Sequence, residues 1–344
     1  MERRIGTFGL ADFYAGQKRN RSNFLDAVSV LIKWEPIEKI LKKKLCRRDA
    51  NAVGVKAYPA LVMFKVLLLQ SWHNLSDADM EFALHDRLSF CRFAGFSLED
   101  ETPDHTTICR FRCRLVEKGL LRKLLDEVNK QLQVQGKLVK KGCIVDASII
   151  SSAAHPTKHI DIESIPEDRR EEEGSDFSVK ICYSHDADAA WTKKGKTFHY
   201  GYKMHMATDS EDGFVLSGHI TPANRADTKE LDTVLEHSQM PEKSRVFGDK
   251  GYTSAHNREV AKKHALKNGI MDKAVRNRPL SLRQKQRNRL ISAVRGTVER
   301  TFGTLKQVYG MARASYIGRA KVELEFLLCA IAYNLKKAVF LAPR

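Results

Sequence analysis

A single aspartate inside an apolar run restricts the folds open to this chain. Residues 143–150 form the β-branched run typical of a buried strand, and Asp146 lies near its centre. An ionised carboxylate buried without a partner is costly. The Asp146 side chain is therefore expected to face a cation, a metal ion or a crevice at the end of the strand.

A second carboxylate, Asp249, repeats this situation. The segment 246–252 contains a short predicted strand that ends in Asp249, with Gly248 before this carboxylate and Gly251 after it. Glycines let a ligand or another backbone approach closely. In open sheets with helical crossovers, ligands gather at the carboxyl ends of the strands. Either aspartate taken alone is also compatible with a simple helix cap.

A third carboxylate, Glu299, lies in a predicted helix. Arg295 precedes it by four residues and Lys306 follows it by seven, so all three project from one helix face. Two aspartates on neighbouring strands and this glutamate have the oxygen ligands that a pair of Mg²⁺ ions, or Mn²⁺ as a substitute, prefers. Two such ions, about 4 Å apart, activate water or a 3′-hydroxyl in phosphodiester displacement. The alternative is an ordinary salt-bridged helix surface.

Two other sets of residues compete for a functional role. Asp227 also follows a strand, but Glu230 three residues later favours a helix-capping arrangement. Spacings that resemble zinc sites occur at His155, His159, Cys182 and His185. Because no second matching pair accompanies them, a structural zinc site is not expected.

The charge of the chain points to a polyanionic partner. Lys and Arg number 59 against 42 Asp and Glu, a formal net charge of +17. Phosphate contacts by such side chains release counterions, so nucleic acid is the expected partner, although basic charge also aids solubility. Positive charge is densest at residues 276–300, where Glu299 is the one acidic residue. We expect DNA contacts there at Arg283, Lys285, Arg287 and Arg289.

Residues 1–135 are predicted to form an all-helical N-terminal DNA-binding domain. Helical spacing of apolar residues predicts a helix over 58–72, a shorter one from Asp77 and one long helix through 108–125. The first turns of the long helix carry Arg110, Arg112 and Arg114, which suit a helix that enters DNA by its N-terminal half. A solvated basic face would have the same pattern.

Residues 136–344 are predicted to form an α/β catalytic domain. After the Asp146 strand, Asp212-Gly213 between two alternating segments predicts a hairpin over 198–220. The pattern then predicts helices over 228–237, 254–264, 281–308 and 321–340, with short strands at 245–247 and 269–271. The acidic stretch 161–176 is expected to be a mobile surface loop within an insertion at about 155–195. Apolar stretches are too short for a membrane helix, so we expect a soluble intracellular protein.

The sequence resembles a known family at these carboxylates. Residues 144–150, 248–252 and 295–302 are similar to the bacterial insertion-sequence transposases with an Asp-Asp-Glu triad, and to the branch named after insertion sequence five. Further segments that resemble the family are 75–77, 103–107, 199–203 and 222–224, the last of them just before Asp227. Within 199–203, Lys203 is an expected DNA contact. The resemblance extends over nearly the whole chain, and the order of the motifs makes it specific.

This resemblance implies a ribonuclease-H-like mixed sheet with flanking helices behind the helical N-terminal domain. It places the metal ligands at Asp146, Asp249 and Glu299. Related enzymes have a tyrosine-arginine-glutamate-lysine row on the glutamate helix; Arg295, Glu299 and Lys306 match it, whereas Ser292 replaces the tyrosine. The stretch between Asp249 and Glu299 is too short for the large β-rich insert of some relatives, so the fate of the second DNA strand stays open.

Three functional classes follow. The first is a transposase that binds the ends of its element, cleaves them and transfers the 3′-hydroxyl ends to target DNA. The second is a nuclease with the same core that only hydrolyses, and the third is a DNA-binding relic with an inactive core. The intact carboxylates favour the first class. It implies double-stranded DNA with terminal inverted repeats, at least a homodimer when two ends are paired, and a bacterial cytoplasmic location at the nucleoid.

Overall fold

The computed structural model describes most of the chain. The described residues are 3, 5, 6, 23–45, 56–154, 156–164, 177–184 and 186–341, with backbone only for the strands at 157–164 and 177–184. Among the helices in these ranges, none combines the length and the apolar character that crossing a membrane requires.

The N-terminal region is helical throughout its described parts. Its helices are α1 (Phe24–Leu31), α2 (Trp34–Leu45), α3 (Ala60–His73), α4 (Asp77–Asp86), α5 (Leu88–Ala94), α6 (His105–Lys118) and α7 (Leu121–Val134). Capping side chains fix where several of them begin: Ser76 accepts from the Asp79 amide at the start of α4, and Asp104 accepts from the Thr107 amide at the start of α6.

The second region is built on a mixed sheet. Its strands are β1 (Gly142–Ser151), β4 (Ala190–Lys194), β5 (Thr197–Asp209), β6 (Val215–Pro222), β7 (Arg245–Gly248) and β8 (Lys267–Ile270), while β2 (Thr157–Ser164) and β3 (Phe177–Ser184) pair separately. The order is β4-β5-β1-β7-β8, and β6 pairs with β5. β1 is central, because it pairs antiparallel with β5 and parallel with β7.

Helices cover both faces of this sheet. They are α8 (Leu231–Ser238), α9 (Ala255–Lys263), α10 (Leu282–Gln307) and α11 (Arg319–Phe340). Ser217 donates to the Val234 carbonyl of α8, whereas a Cβ added to Gly218 would lie 2.7 Å from the Phe326 ring of α11. Successive strand residues point to opposite faces, so α8 and α11 lie on opposite sides of the sheet.

The two regions share one core. Trp72 of α3 donates its indole N–H to the Ala332 carbonyl of α11 at 2.8 Å. Asn334 of α11 donates to Asn129 Oδ1 of α7 at 2.8 Å and accepts from the Val215 amide of β6 at 2.8 Å. The apolar helix α11 is therefore packed between the N-terminal helices and the sheet.

The predicted fold class is confirmed: a mixed α/β sheet with flanking helices follows a helical N-terminal region. The single long helix predicted through 108–125 is wrong, because Gly119 takes a left-handed conformation (φ +57°) and separates α6 from α7. Strands β2, β3 and β4 lie in the stretch predicted to be an insertion. The mobile loop predicted at 161–176 is wrong for residues 161–164, which belong to β2, and residues 165–176 are outside the described ranges. The domain boundaries stay a prediction.

Candidate active site

The central strand positions Asp146 in the middle of the sheet. Asp146 pairs with Met206 of β5, which pairs with Gly218 of β6, so its side chain lies on the face that α11 covers. The side chain is 19% exposed. Its Oδ1 accepts from the Ala147 amide at 2.8 Å. Burial raises the pKa of Asp146, and the nearby Asp249 carboxylate contributes to this rise.

Asp249 lies beside Asp146 because of the register between β1 and β7. These parallel strands pair Ile144 with Phe247; Asp146 is two residues farther along β1, and Asp249 is two residues after Phe247, directly after the end of β7. Neighbouring strands are about 4.8 Å apart, so equivalent positions carry their side chains side by side. Asp249 begins the short 3-10 turn Lys250–Tyr252, and its Oδ1 accepts from the Gly251 amide at 2.8 Å. The carboxylate of Asp249 thus lies at the carboxyl end of β7, whereas Asp146 is in the interior of β1 and not at a strand end.

Helix α10 brings a cation to this pair. The Arg295 Nη2 atom lies 2.8 Å from Asp146 Oδ2, and the Arg295 side chain is 14% exposed. Lys306, three turns farther along α10, donates from Nζ to the Ile149 carbonyl of β1 at 2.6 Å. Burial lowers the pKa of Lys306, and the charge of Lys194 lowers it further. Both side chains thus contact β1, which excludes an ordinary surface row of salt bridges.

Glu299 lies one turn beyond Arg295 and is exposed. Within the described ranges, no three His, Cys, Asp or Glu side chains are grouped closely enough to hold one metal ion. The structure therefore brings two of the three predicted ligands together and leaves the third on the adjacent helix. The donor set itself suits a hard divalent cation, since carboxylate oxygens are its preferred ligands.

Asp227 and Lys203 form an ion pair next to these residues. Lys203 Nζ is 2.8 Å from Asp227 Oδ1 and also donates to the Arg225 carbonyl. The capping arrangement predicted for Asp227 and Glu230 is wrong, because α8 begins at Leu231 without a side-chain cap. Glu230 instead accepts from Arg225 Nε at 2.6 Å and contacts His219 Nε2 at 2.9 Å. The Lys203 side chain is only 14% exposed, and its ammonium group is already bound to Asp227 and to the Arg225 carbonyl.

Sequence reasoning gave no role to Tyr252. Its side chain is 1% exposed, and its hydroxyl has no hydrogen-bond partner among the described residues. Burial and the carboxylates of Asp146, Asp227 and Asp249 raise its pKa well above the ordinary value. The signal that could have identified it is its place three residues after Asp249 in the segment that resembles the family motif.

The arginines predicted on the N-terminal helices fall into different environments. Arg110 is exposed, as a DNA contact requires. Arg114 is partly buried and donates to the Leu45 carbonyl at 2.5 Å. Arg112 is only 5% exposed, forms an ion pair with Asp77 and lies with its guanidinium 4.8 Å from the centre of the Tyr316 ring. The expected DNA contact at Arg112 is therefore wrong, since its charge is buried and paired.

In the first half of α10, most of the basic side chains predicted to contact DNA are exposed. Arg283, Lys285 and Arg289 are exposed. Arg287 is different, because it donates to the carbonyls of Ile270 and Asn268 and pairs with Asp272 at 2.9 Å. It anchors α10 to β8. Of the residues predicted for zinc, His155 and His185 are outside the described ranges, and side chains are not described at His159 and Cys182.

Comparisons with known proteins agree with this architecture. A family model described as "Transposase DDE domain" matches residues 138–335, and one described as "Transposase domain (DUF772)" matches residues 13–114. The transposase for insertion sequence element IS1106 from Neisseria meningitidis serogroup B is 42% identical over 231 residues, which are 67% of this chain and 76% of that protein.

A likeness to a solved structure is more distant. The piggyBac transposase in a synaptic complex with hairpin DNA aligns at 13% identity with a TM-score of 0.41, over 93% of this chain and 76% of that one. The predicted class is confirmed by the family models and the sequence relative, whereas the branch within the class stays a prediction.

Proposed function

The chain belongs to the transposases with a DDE domain, and from this premise we propose that it cuts the ends of its own insertion sequence and joins them to target DNA. The bonds broken are phosphodiesters at the element ends. The freed 3′-hydroxyls would then attack phosphodiesters of the target. This reaction requires carboxylates, an attacking oxygen and a channel for a polyanion to meet at one place.

The observation that carries the proposal is the pair Asp146 and Asp249 under helix α10. Asp249 directly follows β7, which pairs in parallel with the strand that carries Asp146, and α10 brings Arg295 into contact with Asp146. In this proposal Asp146, Asp249 and Glu299 hold two Mg²⁺ ions, or Mn²⁺ in their place. The chemistry that such ions supply when bound is activation of the attacking oxygen and stabilisation of the leaving one.

The protein side chains have separate tasks in this scheme. Arg295 orients Asp146 and opposes the rise in its pKa that burial causes, because a guanidinium beside a buried carboxylate favours the charged form. Lys306 fixes α10 against the strand that carries Asp146, through the Ile149 carbonyl. In this proposal Glu299, one turn beyond Arg295 on the same helix, is the third ligand.

DNA would reach this site along the first half of α10. The exposed Arg283, Lys285 and Arg289 lie along that half, and Arg289 is about 15 Å from Glu299 at the helical rise. Arg110 on α6 is a further candidate contact. The proposed partners are double-stranded terminal inverted repeats and target DNA at the bacterial nucleoid. Because two ends must be held together, the active form would be a homodimer or larger.

Two other functions use the same architecture. A nuclease that only hydrolyses would need the same carboxylates and would produce no joined DNA. A relic that binds DNA without cutting it would tolerate loss of the carboxylates. The intact set of Asp146, Asp249 and Glu299 favours an active enzyme over the relic.

The test is a cleavage and joining assay on labelled DNA that carries the sequences flanking the gene, with Mg²⁺ or Mn²⁺. We expect nicked and joined products from the intact protein and neither from Glu299→Gln. Glu299 is exposed, so this variant should keep its stability within about 0.5 kcal/mol and its affinity for the ends. Products that persist in Glu299→Gln would contradict the placement of the site, and nicking without joining would support the nuclease.

A further inference from the structure

The hairpin of β4 and the start of β5 projects beyond the rest of the sheet. Pairing of β1 with β5 ends at Ser151 and Gly201, and pairing of β6 with β5 ends at Tyr202. Residues 197–200 of β5 therefore pair with β4 alone. A tight turn closes this ribbon, and Gly195 allows it by adopting a positive φ of +62°. We refer to residues 190–200 as the β4–β5 hairpin.

One face of the β4–β5 hairpin is aromatic. The register pairs Trp191 with Tyr200 and Lys193 with Phe198, and each pair shares this face. The Trp191 and Tyr200 rings are 5.2 Å apart, and Lys193 Nζ is 5.2 Å from the centre of the Phe198 ring. Trp191 is 54% exposed and Phe198 is 63% exposed. Two large aromatic side chains exposed on one face of a hairpin indicate a binding surface.

The partner of this surface is negatively charged. Lys193, Lys194 and Lys196 are exposed at the end of the β4–β5 hairpin. No acidic residue occurs between positions 189 and 208 of the sequence. Lysines next to exposed aromatic rings are the combination by which proteins hold unpaired nucleotides, with the cations on phosphates and the rings stacked on bases.

The β4–β5 hairpin also lies on the same side of the sheet as the carboxylates. Met206, the partner of Asp146, and Phe198 are eight residues apart on β5, so their side chains point to one face. At the rise of a strand this separation is about 26 Å, or about eight nucleotides of B-form DNA. Lys306 of α10 donates to the Ile149 carbonyl, two residues before Ser151, and Ser151 pairs with Gly201 at the base of the hairpin. The glutamate helix therefore passes near this base.

We propose that the β4–β5 hairpin is a second DNA-binding site, which stacks Trp191 and Phe198 on unpaired bases about eight nucleotides from the cleaved bond while its lysines contact phosphates. This inference rests on the proposed function, since it identifies where the substrate of that reaction is held. An anionic membrane surface would also attract lysines and aromatic side chains. DNA is favoured because the hairpin shares a face with Asp146.

The first experiment measures binding of the full-length protein to two forms of the element end by fluorescence anisotropy. One form is blunt duplex, and the other has an unpaired extension of about eight nucleotides. We expect the double variant Trp191→Ala/Phe198→Ala to bind the extended form about tenfold more weakly and the blunt form nearly as well as the intact protein. Phe340→Ala, which removes another exposed aromatic side chain (70%) outside the predicted DNA-binding domain, should change neither affinity.

The lysines are tested by salt dependence. Neutralising all three with Lys193→Gln, Lys194→Gln and Lys196→Gln should reduce the slope of log affinity against log salt by about 2 on the extended DNA. The matched control neutralises three exposed lysines elsewhere, Lys243, Lys262 and Lys267, and should leave the slope unchanged. Quenching of tryptophan fluorescence by the extended DNA should be lost in Trp191→Phe, because the other tryptophans, Trp34 and Trp72, lie in the N-terminal helices.

The outcomes separate the two proposals. Equal affinity of intact protein and double variant for extended DNA would overturn the hairpin site, while loss of cleavage in Glu299→Gln would still support the proposed function. Binding to phosphatidylserine vesicles that depends on the same residues, with unchanged DNA binding, would also overturn it. If the intact protein bound and cut no form of the ends, the proposed function itself would fail. Unchanged circular dichroism and retained quenching in Trp191→Phe would exclude Trp191 as the stacking residue.

Discussion

The Arg295 guanidinium is paired with the Asp146 carboxylate across 149 residues of sequence, with 2.8 Å between Nη2 and Oδ2. This ion pair joins the glutamate helix to the central strand. The Arg295 Nε atom is buried and has no hydrogen-bond partner within the described ranges. The guanidinium therefore keeps unused hydrogen-bonding capacity next to the candidate ligands.

Removal of Arg295 should destabilise the protein through Asp146. Arg295→Met leaves a mostly buried carboxylate without its cation, and we expect a loss of about 2 kcal/mol in the free energy of unfolding. The double variant Asp146→Asn/Arg295→Met should lose less than the sum of the single variants, because the uncompensated charge is gone. Urea unfolding measures all three, with Arg289→Met as an exposed control. Additive losses would show that the two side chains are not coupled.

Arg110 and Arg112 should separate DNA binding from stability. Arg112→Gln removes the buried partner of Asp77, so we expect a loss of about 3 kcal/mol in the free energy of unfolding. Arg110→Gln should leave stability within about 0.5 kcal/mol and should weaken binding of the element ends. Thermal unfolding and DNA titration on both variants make the comparison. The reverse pattern would mean that the helix presents its other side to DNA.

Stability should fall in mild acid because of His205. Burial, together with the adjacent His219, lowers the pKa of His205 to about 3. The unfolded chain, with an ordinary histidine pKa near 6.5, binds this proton first, so the contribution is present above pH 6.5 and is lost as the pH falls towards 3. At pH 5 this one group should reduce stability by about 2 kcal/mol relative to pH 7.5.

The variant His205→Gln should therefore show a flatter dependence of unfolding free energy on pH than the intact protein. His256→Gln, which changes an exposed histidine, is the matched control and should keep the original slope. Parallel curves for His205→Gln and the intact protein would contradict the lowered pKa.

Tyr252 should matter for cleavage and Tyr309 should not. Both hydroxyls are buried without a hydrogen-bond partner among the described residues. Such a group destabilises a protein, so Tyr252→Phe and Tyr309→Phe should each leave stability unchanged or raise it by about 1 kcal/mol. Of the two, only Tyr252 has its pKa raised by the carboxylates of Asp146 and Asp249. We expect its loss to slow single-turnover cleavage about tenfold, and equal rates in the two variants would refute this role.

Local patterns were sufficient to predict much of the fold. Three elements depend on neighbours in sequence: the β-branched strand around Asp146, the Asp-Gly turn between β5 and β6, and the helix α10. Each was found near its predicted place. The break at Gly119 was missed, because apolar residues on both sides keep the helical period. β4 was missed because its residues are mostly exposed, so it lacks the alternation that identifies a half-buried strand.

Partners distant in sequence were harder to predict. Arg112 and Arg110 are two residues apart and have the same chemistry, yet one is buried because Asp77 and Tyr316 happen to surround it. Arg287 differs from Arg289 for the same reason, since β8 lies beside it. The triad residues were predicted individually, but the contact of Arg295 with Asp146 depends on how α10 crosses the sheet, which no local pattern contains.

The bonds of α11 to both regions have a consequence for how such a protein changes over generations. Because Trp72 donates to the Ala332 carbonyl and Asn129 accepts from Asn334, the first half of the chain is fitted to the last helix. A recombination event that exchanged residues 1–135 with those of a relative would separate side chains that were selected together. A lineage of these elements is therefore expected to acquire new end sequences by point substitution at exposed positions, and rarely by exchange of whole modules.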